Sequence, residues 1–393
     1  MKNSNIQWIG AIPDSWQLNK IGQLFNLRNE KVSDKDFAPL SVSRGGVVPQ
    51  MESVAKSDAS DDRKLVLIGD FAINSRSDRK QSCGVAPLNG SVSLINLILY
   101  AKDGNVIYND YMNYLLKNYG FAEEFYRWGH GIVADLWTTR WQEMKSIMLP
   151  LPSLEMQKKI FDFLNKKILE ANNLIEIENQ QIEKLKEYKQ AVITEAVTKG
   201  LDKSAPMKDS GVEWIGEIPE NWSTCRIKNV ATISNGKEIE VDGGNIPVYG
   251  SGGIFKYTDK PLFSGISLLL GRKGTIDKPM LVSGDFWTVD TMFYTSSIRQ
   301  IVPKYLFYCA KSLICFDFFK SGSVLPSMTQ TELNDVYITY PNTCIQTEIA
   351  DYLDKKCSEI DTLAKIKQKK IDMLNEYKKS LIYECVTGKK EVV

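Results

Sequence analysis

Two blocks of sequence occur twice in this chain, in the same order, and whatever it folds into must repeat itself. Residues 4–16 read SNIQWIGAIPDSW and residues 210–222 read SGVEWIGEIPENW. Trp8/Trp214, Ile9/Ile215, Gly10/Gly216, Ile12/Ile218, Pro13/Pro219 and Trp16/Trp222 all lie 206 residues apart. The second block, 157–198, returns without a gap at 346–387, a spacing of 189 that keeps Gln157/Gln346, Leu164/Leu353, Glu187-Tyr188-Lys189/Glu376-Tyr377-Lys378 and Thr198/Thr387. The spacings differ by 17, so the stretch between the blocks is 17 residues longer in the first half. A constant frame carrying variable inserts is what this arithmetic describes.

The second block is helical by its period. Apolar residues fall at Ile160, Leu164, Ile168, Ala171, Ile175, Ile182, Leu185 and Val192, and again at Ile349, Leu353, Cys357, Ile360, Ala364, Ile371, Leu374 and Leu381. Steps of three, four and seven make a stripe on a long helix. Pro152 and Pro341 precede the blocks, and Gly200 and Gly388 follow them as stop signals. Roughly 40 residues at about 1.5 Å each gives a rod of about 60 Å. Glu178 and Lys367 put one charge into each stripe near mid-helix. Antiparallel packing would bring the two opposite each other and fix the register.

The inserts, 17–150 and 223–340, read as mixed α+β globules. LVLIGDFAI, VSLINLILY, ISLLLG and FWTVDTMFY are strand-like, while YMNYLLKNY and KYLFYCAKSLICFDFF are short-helix-like. Lys and Arg number 49 against 48 Asp and Glu, so nucleic acid could be held only by locally concentrated cations. Arginine can bond guanine bidentately, and Gly and Ser amides can approach phosphates closely. The candidates are Arg44-Gly45, Arg76, Arg79, Lys80 and Arg140 in the first insert. In the second they are Tyr249, Ser251, Gly252, Lys256, Arg272-Lys273 and Ser323. Aligning Gly69–Arg76 with Gly265–Arg272 puts Arg76 and Arg272 at matching strand ends. Asn113-Tyr114-Leu115 aligns in the same way with Lys304-Tyr305-Leu306.

Several function classes drop out. No run approaches about 18 apolar residues, so no membrane span is expected, and Met1–Asn5 leads into no signal core. The 7 cysteines form no CxxC pair and there is 1 histidine, His130, so no metal site is expected and reduced thiols in a cytoplasm are the simple expectation. There is no phosphate-binding loop, no dinucleotide fingerprint and no nucleophile–histidine–acid set. Pro13-Asp14 matches Pro219-Glu220 and reads as a structural turn. No catalytic residues are expected.

The WIGEIPENW-like cap, the Leu149-Pro150-Leu151-Pro152 entry, Gln157 and the helix ending in Glu195-Ala196-Val197-Thr198-Lys199-Gly200 resemble type I restriction–modification specificity subunits over essentially the whole chain. The family often has Glu-Gln at the helix start, where this chain has Met156-Gln157 and Ile345-Gln346. The resemblance implies an α+β chain with a pseudo-two-fold internal repeat. Target-recognition domains at 1–150 (cap 4–16) and 201–340 (cap 210–222) would be separated by spacer helices at 151–200 and 341–393, packed as an antiparallel coiled coil. It implies partners: double-stranded DNA, methyltransferase subunits (two) and restriction/translocase subunits. No cofactor would be bound directly, since S-adenosylmethionine, ATP and Mg would belong to those subunits. Trp8, Trp214, Gln157, Gln346, Glu178 and Lys367 are the implied subunit-interface residues. The competing reading is a non-catalytic interaction scaffold with two binding globules on a coiled coil. Salt-sensitive, sequence-specific DNA retention separates the two.

Overall fold

In a computed structural model, which describes residues 1–50, 62–76, 79–131, 137–239, 243–314 and 326–392, the chain divides into two compact units. Unit 1 is 1–178 with 369–393, and unit 2 is 179–368. The division falls inside the two long helices, Leu154–Lys199 and Thr343–Val386, so each unit owns half of both.

Within each unit the two half-helices run antiparallel. In unit 1 Lys378 Nζ donates to Asn172 Oδ1 at 2.6 Å, and Lys370 Nζ to Glu178 Oε1 at 2.5 Å. In unit 2 Lys189 Nζ donates to both Asp361 oxygens at 2.7 Å, and Lys367 Nζ donates to Gln181 Oε1. Adding 189 to a first-helix residue, or subtracting it from a second-helix one, converts the unit 1 contacts into the unit 2 contacts. The sequence repeat is thus also a repeat of side-chain contacts. The apolar stripe lies underneath, with Ile160, Leu164, Ala171, Val192, Ile349, Leu353, Cys357, Ile360, Ile371 and Leu381 buried.

Both helices end the same way. Gly200 (φ +75°) and Gly388 (φ +70°) take the left-handed conformation that closes a helix C-terminus at no steric cost. In each unit the cap packs on that glycine. A side chain on Gly200 would meet Trp222, and one on Gly388 would meet Pro13 and Trp16. The first cap is therefore completed by the last helix of the chain, and the second cap by the first helix.

Each insert builds one four-stranded antiparallel sheet with the same strand order. In unit 1 it runs Cys83–Val85, Phe71–Asn74, Asn96–Ala101, Phe25–Arg28. In unit 2 it runs Met280–Val282, Ser267–Gly271, Met292–Ile298, Ala231–Asn235. Three of the apolar runs expected as single strands are pairs of strands. Residues 65–73, for instance, break at Gly69 (φ +87°), where buried Asp70 accepts from Leu67 N at 2.9 Å and pairs with the Arg28 guanidinium at 2.7 Å. Apolar content alone does not reveal such a turn, because both flanking strands are buried.

A buried glutamine fastens each insert to its helix. Gln157 Oε1 accepts from Tyr108 N at 2.9 Å, while Nε2 donates to the carbonyls of Val106 (2.9 Å) and Pro152 (3.1 Å). Gln346 Oε1 accepts from Val302 N, and its Nε2 donates to the Pro341 carbonyl, both at 2.8 Å. Tyr111 and Tyr305 each follow the clamped amide by three residues, and both are fully buried. The expected match of Tyr114 with Tyr305 is therefore corrected by three positions.

The paired tyrosines differ in one respect. Tyr305 Oη meets Thr339 Oγ1 at 2.7 Å, and Thr339 donates onward to the Val197 carbonyl at 2.6 Å. The position of Thr339 is taken in unit 1 by Pro150, which pairs with Leu18 as Thr339 pairs with Thr224. Proline has no hydroxyl, and among the described residues the Tyr111 hydroxyl has no partner. Tyr305→Phe should therefore cost about 1 kcal/mol in chemical denaturation, whereas Tyr111→Phe should be neutral or stabilising. Equal losses for the two would contradict this difference.

Candidate nucleic-acid interface

In unit 1 three loops meet around the expected cations. The hairpin turn between Leu40–Ser43 and Gly46–Pro49 carries Arg44 and Gly45, both exposed, and Arg44 Nε donates to the Lys80 carbonyl at 3.3 Å. The segment after Phe71–Asn74 carries Arg76, Arg79 and Lys80. It is held to 138–140 by the bridge Arg76↔Thr138 and by Thr139 N donating to Ser75 O at 3.0 Å. Arg140 is exposed at the start of the short helix Trp141–Met144, its N–H donating to Glu143 Oε2 at 3.0 Å. Arg44, Gly45, Arg76, Arg79, Lys80 and Arg140 thus share one loop cluster, while Lys80 is already engaged. Its ammonium contacts both Glu123 oxygens (2.9 and 3.1 Å) and lies 4.2 Å from the Tyr126 ring centroid. Lys80 positions the loop through these contacts.

Unit 2 assembles an equivalent cluster. Its hairpin turn, between Ile246–Gly250 and Gly253–Thr258, carries Ser251 and Gly252. A Cβ on Gly274 would lie 3.3 Å from Ser251 Oγ, so the turn rests on the loop Arg272-Lys273-Gly274. That loop is pinned by the bridge Lys273↔Ser327 and by Met328 N donating to Arg272 O at 2.9 Å.

The bridges correct the expected pairing of Arg76 with Arg272. Arg76↔Thr138 in unit 1 corresponds to Lys273↔Ser327 in unit 2, and Ser75 O corresponds to Arg272 O. Sheet register agrees, since Asn74 is opposite Asn96 and Gly271 opposite Met292 at the same sheet position. A one-residue slip reverses the face on which a strand residue points. Arg76 and Lys273 are both exposed. Arg272 is turned back, with Nη1 donating to the Asp290 carbonyl at 3.2 Å and its guanidinium 6.0 Å from the Phe293 ring.

Tyr249 packs its ring 6.3 Å from that of Phe286 beside the small core of Leu269, Phe286 and Met292, and burial raises its phenol pKa. Lys256 is half-buried on the hairpin, 5.8 Å from the Phe255 ring. Ser323 lies outside the described residues. Sequence reasoning singled out Arg140 but missed that 138–140, and 326–328 in unit 2, pin the basic loops. The only local sign of them is a helix start, Arg140 with Glu143 and Thr329 with Glu332.

The expected interface residues separate by burial. Gln157 and Gln346 are 0% and 1% exposed, and their amides are engaged inside their own units, so they are fasteners with no surface for a partner. Trp8 is buried against Phe121, ring centroids 6.0 Å apart, and its carbonyl accepts from Tyr383 Oη at 2.8 Å. Trp214, its repeat mate, is 55% exposed. Glu178 is buried and paired with Lys370.

Residues 219–372 match the family model described as the type I restriction modification DNA specificity domain. The chain is 23% identical over 434 residues, 97% of its length and 95% of the relative's, to a Methanocaldococcus jannaschii protein named for the specificity subunit of type I restriction enzyme MjaX. It is 28% identical over 285 residues, 62% of each chain, to the type I restriction enzyme MjaVIII specificity subunit of the same organism. Among solved structures it resembles a chain of a type I restriction–modification system studied for complex assembly and conformational transition. That match has a TM-score of 0.75 at 13% identity and covers 96% of this chain and 98% of the other. It also resembles the HsdS subunit from Thermoanaerobacter tengcongensis, with a TM-score of 0.55 at 14% identity over 99% and 100% of the two chains. At such identities the structural likeness is one of fold. No described helix is long and apolar enough to cross a membrane.

Gln346→Leu would strand the Val302 N–H and the Pro341 carbonyl, so denaturation of unit 2 should shift by about 1–3 kcal/mol. An unchanged midpoint would return this side chain to the docking candidates.

Proposed function

Because the chain belongs to the type I restriction–modification specificity family, we propose that each unit reads one half of a bipartite, asymmetric DNA site through its basic loop cluster. The chain confers DNA sequence specificity on its enzyme, and the finer division of labour is our proposal. The observation that carries it is the structural pairing of Arg76 with Lys273. An exposed cation stands at the same strand exit in two inserts whose surrounding loops differ. Cations held on pinned loops can approach phosphates and guanine edges. The long helices would set the gap between the half-sites.

Methyltransferase subunits, two per chain, would dock on the helices and caps and bring S-adenosylmethionine. Restriction subunits would bring ATP and Mg. Three repeat-related pairs of large apolar residues support helix docking. Leu174/Leu363 are 43% and 49% exposed, Ile177/Ile366 47% and 59%, and Tyr188/Tyr377 55% and 48%. Large apolar groups exposed in repeat-related positions are what a partner surface presented twice would need.

Methylome sequencing of a host carrying this chain with its methyltransferase would define the site. Arg76→Ala should then relax one half-site and Lys273→Ala the other, each by about 1–3 kcal/mol of discrimination if the contact is to a base. Loss of both half-sites from either change would contradict the modular reading. Flat retention across DNA sequences would favour the scaffold alternative. Leu174→Glu with Leu363→Glu should abolish recruitment of the methyltransferase while leaving the thermal unfolding of the chain unchanged.

A further inference from the structure

The hairpin that leans on the unit 2 basic loop carries an unusual edge. Gly253–Thr258 is the outer strand of the sheet ordered Gly253–Thr258, Ile246–Gly250, Asp285–Thr288, Phe263–Ser264. Edge strands are normally protected by charge, bulges or cover. Here Ile254 is 49% exposed, Phe255 57% and Tyr257 49%. The register slips inside the strand. Val248 is opposite Lys256 while Tyr249 is opposite Ile254, so Phe255 is the extra residue of a β-bulge. A bulge re-aims a side chain away from the alternation of its strand. Gly250 makes room for the ring, since a Cβ there would lie 3.3 Å from two Phe255 ring atoms.

The surroundings identify what would cover this edge. Lys256 Nζ lies 5.8 Å from the Phe255 ring, and the turn next to it touches the Arg272-Lys273-Gly274 loop through Ser251 and Gly274. Apolar rings interleaved with cations suit a duplex groove of base edges and phosphates, where the rings meet thymine methyl groups and the cations meet the backbone. We propose that Phe255, flanked by Ile254, is a base-contacting specificity residue of unit 2, resting on the reading of DNA by that unit given above. The Phe255 ring then adds discrimination without charge, while Lys273 adds charge as well as discrimination.

The test uses the full chain assembled with its methyltransferase subunits and a duplex bearing the site found by methylome sequencing. Phe255→Ala should weaken binding to that duplex about tenfold, a loss on the scale of one base-edge contact. Binding to a scrambled duplex should not change, nor should the slope of log affinity against log salt. Lys273→Ala should instead make that slope shallower by about one. Photo-crosslinking from benzoylphenylalanine placed at 255 should reach bases of a single half-site. Thermal unfolding of Phe255→Ala should match the unaltered chain, and Phe255→Leu provides a second, milder variant. Unchanged site affinity in both variants would overturn the assignment, as would crosslinks to the methyltransferase alone. If the unaltered complex shows no sequence preference, it is the DNA reading itself that fails. If that preference stands and Phe255→Ala matches it, only the role of Phe255 falls.

Discussion

Each unit closes its core only when both long helices contribute, and the rest of the structure depends on that constraint. The unit 1 core takes Ile160 and Leu164 from the first helix and Leu381, Cys385 and Val386 from the second. The unit 2 core takes Val192, Ile193, Ala196 and Val197 from the first and Ile349, Ala350, Leu353 and Cys357 from the second. Neither globule is therefore complete as a contiguous piece of chain. A slip of helix register in either unit would disturb its globule as well as its helix pair. The repeated contacts, Glu178–Lys370 with Gln181–Lys367 and Asn172–Lys378 with Lys189–Asp361, hold the same register in each unit. Glu178 is buried and bonded to Lys370, so the register contact in unit 1 places a charge inside the helix pair, where a carboxylate is held only by groups that compensate it.

Duplication has kept the frame and relaxed its details. Tyr111 and Tyr305 fill the same place, yet only Tyr305 has its hydroxyl satisfied, because one residue of the neighbouring strand is Pro150 in unit 1 and Thr339 in unit 2. Trp8 and Trp214 keep their identity and differ in burial. Trp8 is held where Gly120 and Tyr383 crowd it, and at the place of Tyr383 the first helix has Thr194. Sequence identity between repeats records common ancestry of the backbone more faithfully than it records a common role for each side chain.

That distinction explains what could be read from the sequence. The caps and helices were legible because their matches are ungapped and their period is a property of neighbouring residues. The basic loops were legible as loops, though not in their pairing. Arg76 corresponds to Lys273, and Tyr111 to Tyr305, only once hydrogen-bond register is known. An eight-residue alignment through divergent sequence has no internal check against a slip of one, and strand alternation makes that slip decisive. The glutamines show a second kind of ambiguity. A polar residue kept in both halves suits a docking surface and a buried clamp equally, and only burial separates the two. Phe255 was missed because a bulge is invisible to alternation: the residue reads as one more strand position.

The division between clamp and loop also bears on which parts of such a chain can vary. Arg44, Arg76, Arg140 and Lys273 are exposed on loops pinned largely by main-chain bonds, such as Thr139 N to Ser75 O and Met328 N to Arg272 O. Main-chain pins are indifferent to side-chain identity, and exposed substitutions away from caps and buried networks usually move stability by only about 0.5 kcal/mol. Gln157, Gln346 and Thr339 hold buried polar groups whose loss costs several times that. The exposed cations of the loops and the residues that hold the fold are thus different residues, on different elements. Loops of unequal length can then replace one another over an unchanged four-stranded sheet, and the two halves of this chain, alike in frame and unlike in loops, are an instance of that replacement.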